Sequence, residues 1–224
     1  MTNTPPAAPT NRLLIAVILA AIVVAIVIGV AIVSGNTTAP TPRETPVAES
    51  LAPDAALSEY REWTGTVALN DIPLDVTLDG ENAPIAVASF LSLAESGYFD
   101  GTSCHRLTTQ GIFVLQCGDP TATGTGGPGY SFGPVENDPV DSLYPAGTLA
   151  MARVGNDGYS NGSQFFIVYE DSTISTDSAG GYTVFGKITG GLGVVQEIAA
   201  AGVAGGGPDG TPAVPAVIGA MTFQ

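Results

Sequence analysis

Three short stretches carry the residues able to do chemistry: Cys104-His105-Arg106-Leu107, Leu115-Gln116-Cys117-Gly118-Asp119 and Asn161-Gly162-Ser163-Gln164-Phe165-Phe166. They offer an arginine, two glutamines and phenyl rings on what read as strands of one sheet. They hold no evident nucleophile, acid–base pair or metal cluster. The chain has a single histidine, His105, and no G-x-S-x-G elbow, which argues against a Ser-His-Asp hydrolase. Two cysteines and one histidine are too few for a zinc site of the usual kind. The glycine-rich stretch 124–129 lacks the Lys-Ser or Lys-Thr of a phosphate loop, and Pro128 removes a backbone donor. What remains suits a reaction that neither makes nor breaks a covalent bond. His105 precedes Arg106 on a strand and so faces the other way; a packed histidine with a hydrogen-bond partner is expected there.

The elements that must position these residues read as short strands, two helices and many glycine turns. Runs at 64–69 and 74–78 flank Asn70-Asp71, a hairpin signal. A helix follows: Asn82 is a candidate cap, Pro84 suits the first turn and Gly97 the stop. Val87, Phe90, Leu91 and Ala94 form its apolar stripe. Further strands are expected at 103–107, 113–117, 148–153, 164–169, 183–188 and 216–222, and a second helix at 192–201. Two widely separated helices exclude a parallel βαβ sheet and leave a β-rich barrel or sandwich. Residues 205–210 read as a loop before the last strand.

In order and wording the three stretches resemble the cyclophilins, the peptidyl-prolyl cis-trans isomerases, from about Trp63 to Phe223. The resemblance implies a mainly β fold, a closed eight-stranded antiparallel barrel capped by two α-helices, and an isomerase that needs no cofactor and no metal. Arg106 matches the catalytic arginine of the family's F-H-R motif, with Cys104 in place of the phenylalanine. Gln116 matches the first glutamine of the Q-G-G-D segment and is implied to orient Arg106 and bind the substrate carbonyl. Gln164 matches the second glutamine, which holds the peptide backbone. Phe113 and Phe166 match the phenylalanines of the proline pocket. Val114 stands where many members have methionine, Ala152 matches a lining alanine, and Ile174 supplies a leucine-like wall. Phe166 and Gln164 share a strand face by their i, i+2 spacing.

Departures from the family pattern modify these expectations. Arg153 replaces the usual asparagine and is expected to favour an acidic residue before proline. Tyr182 stands where a histidine is found in well-known members. A tryptophan that promotes cyclosporin binding is missing near Ile174, which implies only weak binding of that inhibitor. The loop 108–112 is two residues longer than the compact pattern. Cys104 and Cys117 flank the hairpin. A disulfide is open to them outside the cytoplasm, but if Arg106 and Gln116 share a face, Cys104 shares it and Cys117 does not unless a bulge intervenes. Parity therefore favours two small buried thiols.

Residues 13–33 are an unbroken apolar run without charge. As a helix it would measure about 31 Å, the thickness of a bilayer core. The run is longer than the apolar part of a signal peptide, and Ala31-Ile32-Val33-Ser34 is a poor cleavage site. A single-pass transmembrane helix is expected. Arg12 at its leading edge points to a cytoplasmic N-terminus, with everything beyond Val33 outside the cell membrane. The organisation expected is a short cytoplasmic tail (1–12), the membrane helix (13–33), a disordered Pro/Thr-rich linker (34–58) and an isomerase domain (59–224). The net charge of −15, with Lys187 the only lysine, excludes nucleic acid as a partner. Proline-containing polypeptides are the partners implied. A proline-peptide binding module or chaperone with little turnover is the alternative to an enzyme.

Overall fold

The computed structural model describes residues 51–224. The expected tail, the membrane span 13–33 and most of the linker lie outside them. No helix among the described residues is long and apolar enough to cross a membrane.

The chain forms β1 (Glu62–Leu69), β2 (Ile72–Asp79), α1 (Pro84–Glu95), β3 (Arg106–Thr108), β4 (Val114–Cys117), β5 (Leu143–Tyr144), β6 (Thr148–Met151), β7 (Phe165–Val168), β8 (Ser172–Thr173), β9 (Val184–Gly190), α2 (Gly193–Ala200), β10 (Asp209–Gly210) and β11 (Ile218–Phe223). Nine strands join one antiparallel sheet in the order β10-β3-β4-β7-β6-β9-β2-β1-β11, and β5 pairs with β8 separately. The sheet curls, but its outer strands do not ladder into the closed barrel expected. A bridge between Ser103 and Val217 spans the gap. Residues 55–58, assigned above to the linker, form a 3-10 turn whose Ser58 is buried; its carbonyl accepts from Trp63 Nε1 at 2.7 Å.

Local chemistry explains most elements. Asn70 and Asp71 both take positive φ, 50° and 64°, the pair of values a two-residue hairpin turn requires. In α1, Ala86, Val87, Phe90, Leu93 and Ala94 are buried. Phe90 is the hub, its ring centroid 5.0–5.9 Å from those of Phe99, Phe165, Phe185 and Phe223. Asn82 does not cap α1. The cap residue is Ala83, without a side-chain bond. Instead the Glu136 carboxylate accepts from Ile85 N and Ala86 N at 3.1 and 3.0 Å. An acceptor from a distant loop thus satisfies the first-turn donors, as a negative charge at a helix N-terminus favours.

Cys104 and Cys117 form a disulfide, with Cα atoms 3.9 Å apart. This overturns the two-thiol expectation, and the reason is local. β3 begins only at Arg106; His105 N still donates to Gln116 O at 3.0 Å, but Cys104 turns to the C-terminal segment, its N donating to Ala216 O at 2.8 Å. The face alternation breaks across His105, so Cys104 turns inward and is buried like Cys117. Replacing both cysteines by serine should lower the unfolding free energy by about 3 kcal/mol, the chain-entropy value for so short a loop. Chemical denaturation measures this, and thiol titration of the unfolded chain should find free thiols only after reduction.

Candidate active site

Register assembles the site. Arg106 pairs with Gln116, Gln116 with Phe166, and Phe166 with Ala150. These four residues form one row across β3, β4, β7 and β6, and cross-strand partners on one face are direct neighbours. The opposite face of the same strands, with Leu115, Ile167 and Leu149, belongs to the main core. The row sits beside a second apolar cluster of Val114, Tyr144, Ala150, Phe166, Val168 and Ile174. β7 is therefore buried on both faces.

A cavity of about 170 Å³ opens on this platform, lined by Arg106, Ile112, Val114, Gln116, Ala152, Arg153, Phe166, Ile174 and Tyr182. Eight of the ten residues singled out from the sequence lie here. Gln164 lies in an adjoining cavity of about 400 Å³, which shares Gln116, Ala152 and Arg153 and continues along residues 124–128. Phe113 lies in neither. Its ring packs edge-on to Tyr169, centroids 6.0 Å apart, on the far side of the strand. Phe113 is out of phase with Val114 and Gln116, whereas Ile112 is in phase, and Ile112 supplies the wall. The sequence reading missed Ile112, although the i, i+2, i+4 series 112-114-116 points to it.

The polar groups form a chain of fixed polarity. Arg106 Nη1 donates to Gln116 Oε1 at 3.3 Å. Gln116 Nε2 donates to Gln164 Oε1 at 2.8 Å. Gln164 Nε2 donates to Gly126 O at 2.9 Å. Arg106 also donates through Nε and Nη2 to both oxygens of Asp209, at 2.8 and 2.7 Å. That pairing holds its pKa above the ordinary arginine value, against the lowering effect of burial.

Tyr182 stands edge-on to Phe166, centroids 5.5 Å apart. Its N–H donates to Tyr144 Oη at 2.8 Å. The Arg153 guanidinium lies over its ring, 4.7 Å from the centroid. Arg153 does not offer a free charge to an acidic substrate residue, contrary to expectation. Its side chain is fully buried. Nε donates to Gly181 O, Nη1 to Val154 O and Asp177 Oδ2, and Nη2 to Asp177 Oδ1 and Gly180 O. All five donors of the guanidinium are engaged. Arg153 thus ties the segment that carries Tyr182 to the end of β6. The short β5–β8 ladder anchors the same segment near Ile174.

His105 is packed as expected, but neither ring nitrogen has a hydrogen-bond partner. Burial lowers its pKa, with Asp119 acting the other way and Arg106 adding to the drop.

The glycine-rich stretch wraps an anion belonging to the protein itself. Asp119 is fully buried. Its carboxylate accepts from Thr121 N and Oγ1, Thr123 N, Gly124 N and Gly126 N at 2.6–3.0 Å. A Cβ on Gly126 would overlap that carboxylate. Burial pushes the Asp119 pKa up, but the Thr121 side chain and the backbone donors of Gly126, Thr121 and Gly124 outweigh it and hold the carboxyl well below the usual range. This loop presents Gly126 O to Gln164 and forms the wall of the adjoining cavity.

The site comprises one arginine with donors to spare, a second that is saturated, two oriented amides and an apolar slot. Residues 65–222 match the family described as cyclophilin type peptidyl-prolyl cis-trans isomerase/CLD. The chain belongs to this family. It is 47% identical over 167 residues to a probable peptidyl-prolyl cis-trans isomerase B of Mycobacterium tuberculosis, covering 68% of this chain and 52% of that one. It is 43% identical over 130 residues to the peptidyl-prolyl cis-trans isomerase B of Bacillus subtilis, covering 58% and 85%. The chain spans about half the length of the mycobacterial relatives. Among solved structures, a cyclophilin type isomerase of Cryptosporidium parvum superposes with a TM-score of 0.59 at 28% identity, covering 73% of this chain and 97% of that one. The same protein has been crystallised in the presence of the dipeptide Ala-Pro. The matched span of this cyclophilin contains the whole row Arg106, Gln116, Phe166 and Ala150.

The Asp119 carboxylate gives a pH-dependent prediction. Its folded pKa lies below the unfolded value of 3.8. Its stabilisation is therefore complete above that value and is lost as pH falls through the folded pKa. Asp119→Asn should cost about 2–3 kcal/mol at neutral pH, the size of a charge-assisted hydrogen-bond contribution. The gap between wild type and variant should shrink below about pH 4 in urea unfolding series.

Proposed function

We propose that this chain accelerates cis–trans rotation of X–Pro bonds in polypeptides. The observation that carries this reading is Arg106, fixed by Gln116 at the mouth of an apolar slot floored by Phe166. Rotation about a peptide bond faces a barrier of about 18–20 kcal/mol from amide resonance. X–Pro isomers are close in energy but exchange over tens to hundreds of seconds. The prolyl nitrogen lone pair becomes available to a donor only as the bond twists. A guanidinium held at that nitrogen therefore binds the twisted state more tightly than either planar isomer, which is the requirement for catalysis. Each 1.36 kcal/mol so gained is tenfold in rate.

The roles follow the geometry. Ile112, Val114, Phe166, Ile174 and Tyr182 grip the proline ring. Arg106 acts on the nitrogen. Gln116 orients Arg106 and binds the carbonyl, and Gln164, with the backbone at Ala152 and Arg153, holds residues preceding proline in the adjoining cavity. No cofactor enters this scheme. The crystallisation of a relative with Ala-Pro supports the peptide class.

The same reading tethers the head to the cell membrane through residues 13–33, with the N-terminus cytoplasmic and exported polypeptides as clients. Support comes from the apolar run, from Arg12 at its edge, and from the Cys104–Cys117 disulfide, which belongs to the chemistry of oxidising compartments.

Arg106→Ala should reduce turnover on a proline peptide by two to three orders of magnitude, with an unchanged melting curve. Full activity in that variant overturns the mechanism, and peptide binding without turnover by the wild type would make the chain a binding module. Cyclosporin should inhibit only weakly in the same assay; inhibition at nanomolar concentration would contradict the expectation drawn from the missing tryptophan near Ile174.

A further inference from the structure

Arg106 is half-exposed, and a lone arginine in that setting would sample several rotamers. Its contact to Gln116 is a single bond at 3.3 Å. The shorter contacts come from Asp209, which takes Nε and Nη2 in a two-pronged pair. Asp209 was read from sequence as part of a featureless glycine loop; it lies on an added edge strand. β10 pairs antiparallel with β3, Asp209 opposite Thr108 and Gly210 opposite Leu107. Thr109 N donates to Pro208 O at 2.8 Å, and Ala204 N to Thr211 O at 2.8 Å. Gly205 and Gly206, at φ 86° and 82°, turn the chain back on itself. A bridge between Val203 and Pro212 closes the base. The backbone thus pins this strap at both ends, and it sets Asp209 diagonally across from Arg106, whose i+2 neighbour Thr108 is the direct partner.

The direction of the grip matters. Asp209 lines neither cavity, whereas Arg106 lines the slot. The carboxylate therefore takes the guanidinium from outside the slot. It occupies the Nε edge and one Nη2 hydrogen, while Gln116 takes one Nη1 hydrogen. One hydrogen on each terminal nitrogen is left for a bound group. The hydrogen bonds and charge of each partner favour the ionised form of the other, raising the Arg106 pKa and lowering that of Asp209.

We propose that Asp209 is a positioning residue for the isomerase reaction, clamping Arg106 so that its two unoccupied N–H bonds face the slot. The inference rests on the isomerase reading above. It assigns the 203–212 strap a function: it carries the counter-ion that fixes the working cation.

The test is a double-mutant cycle on the full chain, with kcat and KM for a proline peptide measured for wild type, Asp209→Asn, Asp209→Glu, Arg106→Ala and Arg106→Ala with Asp209→Asn. Asp209→Asn should lower kcat about tenfold with KM changed less than twofold. Asp209→Glu should recover at least a third of the wild-type kcat. In the Arg106→Ala background, Asp209→Asn should add no further loss. Because the pair is half-exposed, wild-type kcat should fall with added salt, and Asp209→Asn should remove that dependence. Thermal melting separates a folding defect, which would reduce the active fraction without altering the salt response. An unchanged kcat in Asp209→Asn, or equal losses in both Arg106 backgrounds, overturns the clamp and leaves the isomerase reading standing. A wild type without turnover overturns both.

Discussion

Strand side chains alternate between faces, so one register decides whether this protein has a site. The pairing Arg106–Gln116–Phe166–Ala150 sets a cation, an amide and an apolar floor side by side on the outer face. The same pairing sends Leu115, Ile167 and Leu149 into the main core. A slip by one residue in β4 would exchange Gln116 for a core leucine and expose apolar surface. Core burial thus enforces the register, and the register delivers the site. The Cys104–Cys117 disulfide adds a covalent tie between β4 and the segment before β3, and Phe90 packs the inner face at β7 and β9 through its ring contacts with Phe165 and Phe185.

Asp119, Arg153 and Arg106, three of the charged groups around the site, are handled differently. Asp119 is buried without a cation, and the backbone of a glycine-rich loop neutralises it with several donors. Arg153 is buried too, and it is tolerable there because all five of its donors meet acceptors; an unpaired charge in that position would be strongly destabilising. Arg106 alone keeps donors unused and part of its surface open. The first two charges are structural because they are saturated, and the third is available for chemistry because it is not. This difference speaks against Arg153 as a selector of acidic residues and is why Arg106 is the cation proposed to act.

Much of this was legible in the chain. The Asn70-Asp71 turn, the stripe of α1 and most main strands follow from local patterns. The family wording located Arg106, Gln116, Gln164, Phe166 and Ala152. Phe113 was misplaced because a motif match outweighed a parity count, although that count, taken over 112-114-116, names Ile112. The disulfide was disfavoured because parity was carried two residues past the start of β3, to Cys104, where the chain bends to meet residue 216. The glycine-rich stretch lacks the Lys-Ser or Lys-Thr of a phosphate loop, yet its amides converge on an anion, the Asp119 carboxylate.

The sequence by itself determined which side chains were available and, through alternation, which of them share a face, because period and propensity act between near neighbours along the chain. Only the tertiary structure decided which distant groups meet. Glu136 caps α1 from 50 residues away, Asp177 saturates Arg153, and Asp209 reaches Arg106 across 103 residues of chain. Such partners depend on how the sheet curls and where its loops land. Those positions are set by burial of the whole core, and no local pattern records them.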